Sequence, residues 1–193
     1  MRKAVNAFRE LSLTALLVVA VFFVSHQVVE NVQVRGHSMD STLHDNELIL
    51  VDTISYRLLH PPRRGDIIIF HPPPGVDTGE DFVKRVIGLP GDRVQVKRGV
   101  TRATVYINGV PLKEPYIDMS DNYDWGPGPV PKGDLFVLGD NRDMSYDSHL
   151  WGGMQPNSLS FLAQNRVIGR AVVAYWPLRD LRIFTDPSYA GIK

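Results

Sequence analysis

Between Leu11 and Val29 the chain carries no formally charged side chain, and the heart of that run, Ala15-Leu16-Leu17-Val18-Val19-Ala20-Val21-Phe22-Phe23-Val24, is almost pure hydrocarbon. A helix needs about 20 such residues to cross the hydrocarbon core of a bilayer. A stretch that is apolar on every side has no polar face to turn toward water, which disfavours a helix laid on a soluble core. Arg2, Lys3 and Arg9 precede the run with Glu10, and Glu30 and Asn31 follow it. The excess of positive charge ahead of the span predicts a cytoplasmic N-terminus over residues 1–10, a single-pass transmembrane anchor over 11–29, and an extracytoplasmic remainder. A cleavable secretory signal also combines a basic start with an apolar middle. The run is longer than the roughly 7–15 apolar residues of such a signal, and no A-x-A-like site follows Phe23, so an uncleaved anchor in the cell membrane is the expectation.

After Val29 the pattern changes to short runs rich in Val and Ile. Val32–Arg35, Leu48–Ile54, Asp66–Phe70, Phe82–Ile87, Arg93–Lys97, Thr104–Ile107, Leu135–Leu138, Arg166–Trp176 and Leu181–Phe184 read as strands. Pro61-Pro62, Pro72-Pro73-Pro74-Gly75, Pro90-Gly91 and Gly126-Pro127-Gly128-Pro129 punctuate them as turns. The fold class is therefore mostly β, with an all-β body after the anchor. Asn108-Gly109, the strongest short hairpin signal, lies in a segment, residues 98–130, that reads as a small inserted β subdomain. Residues 30–97 and 131–193 then form the larger body.

Composition removes several kinds of chemistry. There is no cysteine, so thiol catalysis, disulfides, thiolate zinc sites and iron–sulfur clusters are excluded. Lys and Arg number 21 against 21 Asp and Glu, and a balanced chain lacks the basic excess of a nucleic-acid binder. No nucleic-acid partner is expected.

A serine nucleophile needs a base and backbone N–H donors nearby. Ser38, in Gly36-His37-Ser38-Met39-Asp40, stands out. The segment nearly matches the Gly-x-Ser-x-Gly elbow of α/β-hydrolases, but Asp40 replaces the last glycine and no alternating helices surround it; a purely structural turn is the competing reading. The base is one of six histidines or a lysine. Lys84, in Phe82-Val83-Lys84-Arg85-Val86-Ile87, shares a strand face with Phe82 and Val86 by alternation. An ammonium against apolar neighbours is pushed toward neutrality; from about 10.4, being neutral at pH 7 takes roughly 4.6 kcal/mol of desolvation and charge effects. A surface lysine on an edge strand is the alternative. A third cluster, Gly139-Asp140-Asn141-Arg142-Asp143-Met144-Ser145-Tyr146-Asp147-Ser148-His149, reads either as a calcium loop or as an internally compensated platform whose acids pair with Arg142. Arg142 occupies an early ligand position of the calcium spacing, so no metal and no cofactor are expected.

Together, Ser38-Met39 after an anchor, Arg64-Gly65-Asp66-Ile67-Ile68-Ile69-Phe70, Lys84-Arg85-Val86-Ile87-Gly88-Leu89-Pro90-Gly91-Asp92 and Gly139-Asp140-Asn141-Arg142-Asp143 resemble the ordered boxes of type I signal peptidases. The resemblance extends through Gly169-Arg170-Ala171 and Tyr175-Trp176-Pro177. It implies a signal-peptidase-like β-barrel or sandwich body and a membrane-anchored serine endopeptidase that cuts signal peptides from exported preproteins. In that resemblance Ser38 is the nucleophile, Lys84 the general base, and the Ser38 N–H an oxyanion donor. Gly36 stands where some relatives carry a serine whose hydroxyl is a second donor. Ser145 is implied to orient the lysine, and Asp140, Arg142 and Asp147 to shape the site.

Three positions depart from the family pattern. Ser41 replaces a proline and is expected to loosen the turn after the nucleophile. Met144 and His149 stand where asparagine and arginine are common, and His149 would make a pairing with Asp147 pH-dependent. Substrates ending in small residues imply shallow apolar pockets beside Ser38 and the Phe82–Val86 strand, with the substrate extended along a strand edge. Met39 and its apolar neighbours are expected to touch the lipid bilayer. Two rival readings are a self-cleaving repressor with a similar Ser/Lys pair, for which a helical DNA-binding head is missing, and a membrane-tethered, non-enzymatic β module. The latter requires that Ser38 and Lys84 never meet.

Overall fold

The computed structural model describes residues 10–17, 29–76, 79–117, 122–153, 155–185, 187 and 189. Residues 10–17 are helical, but most of the expected anchor, residues 18–28, lies outside the described residues. Among the described residues no helix is long and apolar enough to cross a membrane.

The body is mostly β, as expected. Its strands are β1 (Val29–Gln33), β2 (Leu48–Asp52), β3 (Ile67–Phe70), β4 (Phe82–Gly88), β5 (Arg93–Lys97), β6 (Thr104–Ile107), β7 (Val110–Pro111), β8 (Trp125–Pro129), β9 (Asp134–Leu138), β10 (Leu162–Ala163), β11 (Val167–Trp176) and β12 (Arg182–Ile183). The larger sheet runs β1-β2-β11-β3-β4-β9-β10, with β12 on β11, and every pairing in it is antiparallel.

Its middle is buried on both faces, which explains the unbroken Ile67-Ile68-Ile69-Phe70 run. Ile67 and Ile69 pack with Met39, Leu43, Ile49 and Val51. Ile68 and Phe70, pointing the other way by strand alternation, pack with Val86, Leu135, Val137 and Trp151. Burying each such side chain contributes roughly 1.5–3 kcal/mol. Met39 is 1% exposed inside the first cluster, so the expectation that it touches lipid is overturned. Its apolar thioether, packed in that cluster, anchors the turn it sits on.

The smaller sheet, β7-β6-β5-β8, is also antiparallel. It includes β5, which precedes the expected boundary at 98. Asn108 and Gly109 take positive φ, 52° and 85°, and join Ile107 to its partner Val110 as the hairpin signal predicts. The Gly126-Pro127-Gly128-Pro129 stretch, expected as a turn, is instead β8. It lies at the sheet edge, where one side needs no ladder and proline is tolerated, and Trp125 at its head is 1% exposed. The small sheet is not separate from the body. Val94, Val96, Val105, Ile107 and Trp125 share one cluster with Ile87, Phe136, Leu138 and Phe161.

Two features of the larger sheet position the site. Among the described residues β1 pairs only with β2, and the first half of β4, Phe82–Lys84, pairs only with β3 because β9 joins from Arg85 onward. The two free strand edges line one groove of about 480 Å³.

Candidate active site

Ser38 lies on a tight turn that follows β1. The turn is closed by Asp40 N–H donating to His37 O (3.2 Å) and by Thr42 and Leu43 N–H donating to Met39 O (2.9 and 2.8 Å). Met39 and Leu43, both buried, nail it to the core, while Ser38 itself is half-buried and faces the groove. The Ser38 N–H has no acceptor among the described residues. Gly36 precedes it at φ +82°, its N–H donating to Asp45 Oδ1 (2.8 Å), with open space where a Cβ would stand.

Lys84 comes from β4, opposite Ile68 of β3. Its Nζ is 2.7 Å from Ser38 Oγ, 2.9 Å from Val83 O and 5.2 Å from the Phe82 ring centroid. The side chain is 4% exposed. Burial lowers its pKa from 10.5 to about 8, against the opposing pull of the Asp147 and Asp140 carboxylates. At pH 7 about one lysine in ten is then neutral. When protonated, Nζ donates to Oγ; when neutral, it can take the Ser38 proton, which is the geometry a general base requires. The pair lies within the reach that the non-enzymatic β module forbids.

The 139–149 loop packs behind the pair. Asn141 N–H donates to Ser38 O (3.1 Å) and its Nδ2 to His37 O (3.0 Å), so the loop holds the nucleophile's turn by its carbonyls. Gly139 is forced at this crossing, since a Cβ there would overlap Ser145 Oγ and Ser38 O. Asp147 is fully buried and accepts from Gly139 N–H (2.8 Å), Ser145 Oγ (2.5 Å), His149 N–H (3.2 Å) and His149 Nδ1 (2.6 Å). Burial alone would raise its pKa, but the bonds from His149, Ser145 and Gly139 win and hold the carboxyl below its ordinary value. His149 stacks on Tyr123 with centroids 4.3 Å apart.

The other two loop residues find partners outside it. Asp140 takes Arg85 in a two-pronged pair, Nε to Oδ1 at 2.8 Å and Nη2 to Oδ2 at 2.6 Å, the geometry in which a guanidinium binds a carboxylate most strongly. Burial works against the Arg85 charge, and the Asp140 carboxylate outweighs it, raising the guanidinium pKa. Arg142 donates through Nε to Gly139 O (2.9 Å) and through Nη2 to Glu114 Oε1 (2.5 Å).

The sequence reading is therefore amended at three points. The loop's acids do not pair with Arg142, because Arg85 and Glu114 arrive from β4 and from the small-sheet side to form the ion pairs. The Ser145 proton goes to Asp147, while the described hydrogen bonds of Lys84 go to Ser38 and Val83. The turn at Ser41 is tied rather than loosened: Ser41 sits at φ +77°, out of reach of proline's fixed φ, and its Oγ donates to Tyr116 O (2.5 Å). Two acids that the calcium-loop alternative would use are already engaged, Asp140 by Arg85 and Asp147 by four donors. Met144 is exposed and lines the groove. Arg85, Asn141 and Glu114 were missed. Arg85 had a signal in sequence, for alternation puts it on the face opposite Lys84 in a buried strand, and a second buried cation requires an acid.

What fits a groove bounded by two unpaired strand edges is an extended chain, and what a hydroxyl beside an amine that can take its proton and an N–H that can meet an oxyanion is able to attack is a carbonyl of that chain. The class so defined is a peptidase. Residues 7–176 match the sequence profile of the family described as signal peptidase, peptidase S26. A signal peptidase I from Leptolyngbya laminosa is 45% identical over 168 residues, covering 84% of this chain and 76% of that protein. A probable signal peptidase I-2 from Synechocystis is 40% identical (83% and 69% covered), and signal peptidase I T from Bacillus subtilis is 34% identical (94% and 92%). A crystal structure of a signal peptidase I from Enterococcus faecalis V583 is 35% identical, covering 56% of this chain and 95% of that one with a TM-score of 0.43. The chain belongs to the signal peptidase family, peptidase S26, and is a hydrolase of peptide bonds.

Proposed function

We propose that this signal peptidase cuts exported preproteins after small residues with Ser38 as nucleophile and Lys84 as general base. The observation that carries the reading is the 2.7 Å contact between Ser38 Oγ and a buried Lys84 Nζ. Neutral Lys84 takes the Ser38 proton as Oγ attacks the scissile carbonyl, and the developing oxyanion is met by the Ser38 N–H. The lysine then returns the proton to the leaving amine, and a water deprotonated by Lys84 hydrolyses the acyl-enzyme. With Gly36 in place of serine no side-chain hydroxyl at that position assists the oxyanion.

The substrate lies extended in the groove, its backbone added to the free edges of β1 and β4. Val32, Val34 and Phe82 present apolar walls there. Residues 11–29 anchor the chain in the cell membrane, with 1–10 cytoplasmic, 30–97 and 131–193 forming the extracytoplasmic catalytic body, and 98–130 inserted into it. Asp140, Arg142, Ser145 and Asp147 shape the site through the contacts described above.

The test is to incubate the detergent-solubilised full chain with a preprotein bearing an Ala-x-Ala site and read the cut by mass spectrometry, beside Ser38→Ala and Lys84→Met. Cleavage after the last alanine, abolished by both substitutions, is the expected result. Cleavage surviving either substitution overturns the assignment of that residue, and an intact preprotein overturns the substrate class.

A further inference from the structure

Glu114 lies 28 residues from Arg142, on the segment leaving the small sheet, yet its side chain is 7% exposed and pairs with a guanidinium that is 2% exposed. Its placement is firm. Leu112, just ahead of it, is buried in the small-sheet cluster and donates its N–H to Val105 O (2.8 Å), and a turn closes behind it from Ile117 N–H to Glu114 O (3.3 Å). Oε1 accepts from Arg142 Nη2 (2.5 Å) and from the Tyr116 hydroxyl (3.0 Å), and Oε2 from Arg142 Nη1 (3.4 Å). From there the contacts run without a gap to the proposed nucleophile. Arg142 Nε holds Gly139 O, Gly139 N–H is held by Asp147, and Asn141 N–H, one residue before Arg142, donates to Ser38 O.

The same short segment reaches the nucleophile's turn a second time. Tyr116 O accepts from Ser41 Oγ, three residues after Ser38, and the Tyr116 ring lies 4.0 Å from the Arg85 guanidinium that holds Asp140. Three elements of the site, the Ser38 turn, β4 and the 139–142 loop, thus converge on Glu114 and Tyr116. A group that merely filled space between the two sheets would have no need of a carboxylate, since a buried ion pair is on average no more stabilising than a well-packed apolar pair.

We propose that Glu114 is a positioning residue for the reaction: through Arg142 it fixes the 139–141 backbone against Ser38, so that the small sheet sets the register of the nucleophile on Lys84. The proposal rests on the reading of Ser38 as nucleophile. It makes the inserted sheet part of the catalytic apparatus, acting through Arg142 without touching substrate.

The experiment uses the full chain in detergent with Glu114→Ala and with Glu114→Gln, which keeps an acceptor for the guanidinium. Amide hydrogen exchange and preprotein cleavage are read on the same samples. The expected result for Glu114→Ala is faster exchange at Gly139 and Asn141 while Ile49 and Val51 of β2 keep their protection. Cleavage should show kcat lower by about tenfold to a hundredfold, the scale of an ångström-sized misplacement, with KM changed less than about twofold. Glu114→Gln should recover part of both. If alanine prevents folding, the glutamine variant carries the test with a smaller loss of the same kind. Unchanged exchange at 139 and 141, protection lost equally throughout β2, or a loss confined to KM overturns the proposal. The exchange arm needs no substrate, so a chain that cleaves no preprotein would refute the proposed function, while exchange at 139 and 141 would still decide whether Glu114 holds that backbone.

Discussion

A reaction that runs through an unprotonated Lys84 must speed up as pH rises, and the structure says where. Burial brings the amine from 10.5 to about 8, so the neutral fraction is about 1% at pH 6, about a tenth at pH 7 and about nine-tenths at pH 9. The free-enzyme parameter kcat/KM reports that titration. It is expected to climb almost tenfold from pH 6 to pH 7, to bend near pH 8, and to gain about ninetyfold in all by pH 9. The assay is cleavage of a preprotein held below KM, in overlapping buffers of constant ionic strength, with product read by mass spectrometry. A second arm tests the electrostatic cause. Asp147 and Asp140 both hold the proton on Lys84, so Asp147→Asn should move the whole rising limb to lower pH even as it disturbs the loop. A rate that is flat or falling between pH 6 and pH 8 refutes neutral Lys84 as the base, and a limb displaced upward in Asp147→Asn refutes the assigned balance of burial against carboxylates.

The same amine should weaken the fold it sits in. The unfolded lysine takes up its proton below about 10.5 and the folded one only below about 8, so stability falls as pH drops through that window, and the deficit, about 3 kcal/mol, is complete below it. Lys84→Met forfeits two hydrogen bonds worth about 1 kcal/mol each and should still melt higher than the parent at pH 7, the advantage shrinking toward pH 10.5; a lower melting temperature at pH 7 contradicts the argument. Gly139→Ala places a Cβ against Ser145 Oγ and Ser38 O, which must push the loop off the nucleophile. Its kcat should fall by about tenfold or more, and a fully active variant would show that this approach is not tight.

Much of this architecture was legible because its signals are local. Short runs rich in Val and Ile marked nine strand positions, and Asn108-Gly109 marked its hairpin, where both residues take positive φ. Trp125–Pro129 was illegible for the opposite reason: Gly and Pro announce turns locally, and only the sheet's topology reveals that the segment lies on an edge where proline does no harm. The site divides the same way. Ser38 and Lys84 carried their own signals, one a glycine-flanked turn and the other a cation on an apolar strand face. Glu114 carried none. It is one acid in a polar segment, and its meaning comes from a guanidinium brought to it by tertiary folding.

Ser41 and His149 show how the chain tolerates departures that sequence alone makes look damaging. A residue at φ +77° pays a steric penalty unless it is glycine, and Ser41 offsets it with a hydroxyl bond to Tyr116 O that proline, locked near φ −65°, could not make. His149 does for Asp147 what a longer cation would do from further away, bonding it through Nδ1 and its own N–H while Tyr123 covers the ring. Asp147 is thereby kept ionised at full burial, and an ionised Asp147 is one of the two charges that stop burial from driving the lysine pKa further down. The carboxylates limit the neutral fraction of the base, and in the same measure they offset the desolvation cost of an ammonium standing in an apolar wall.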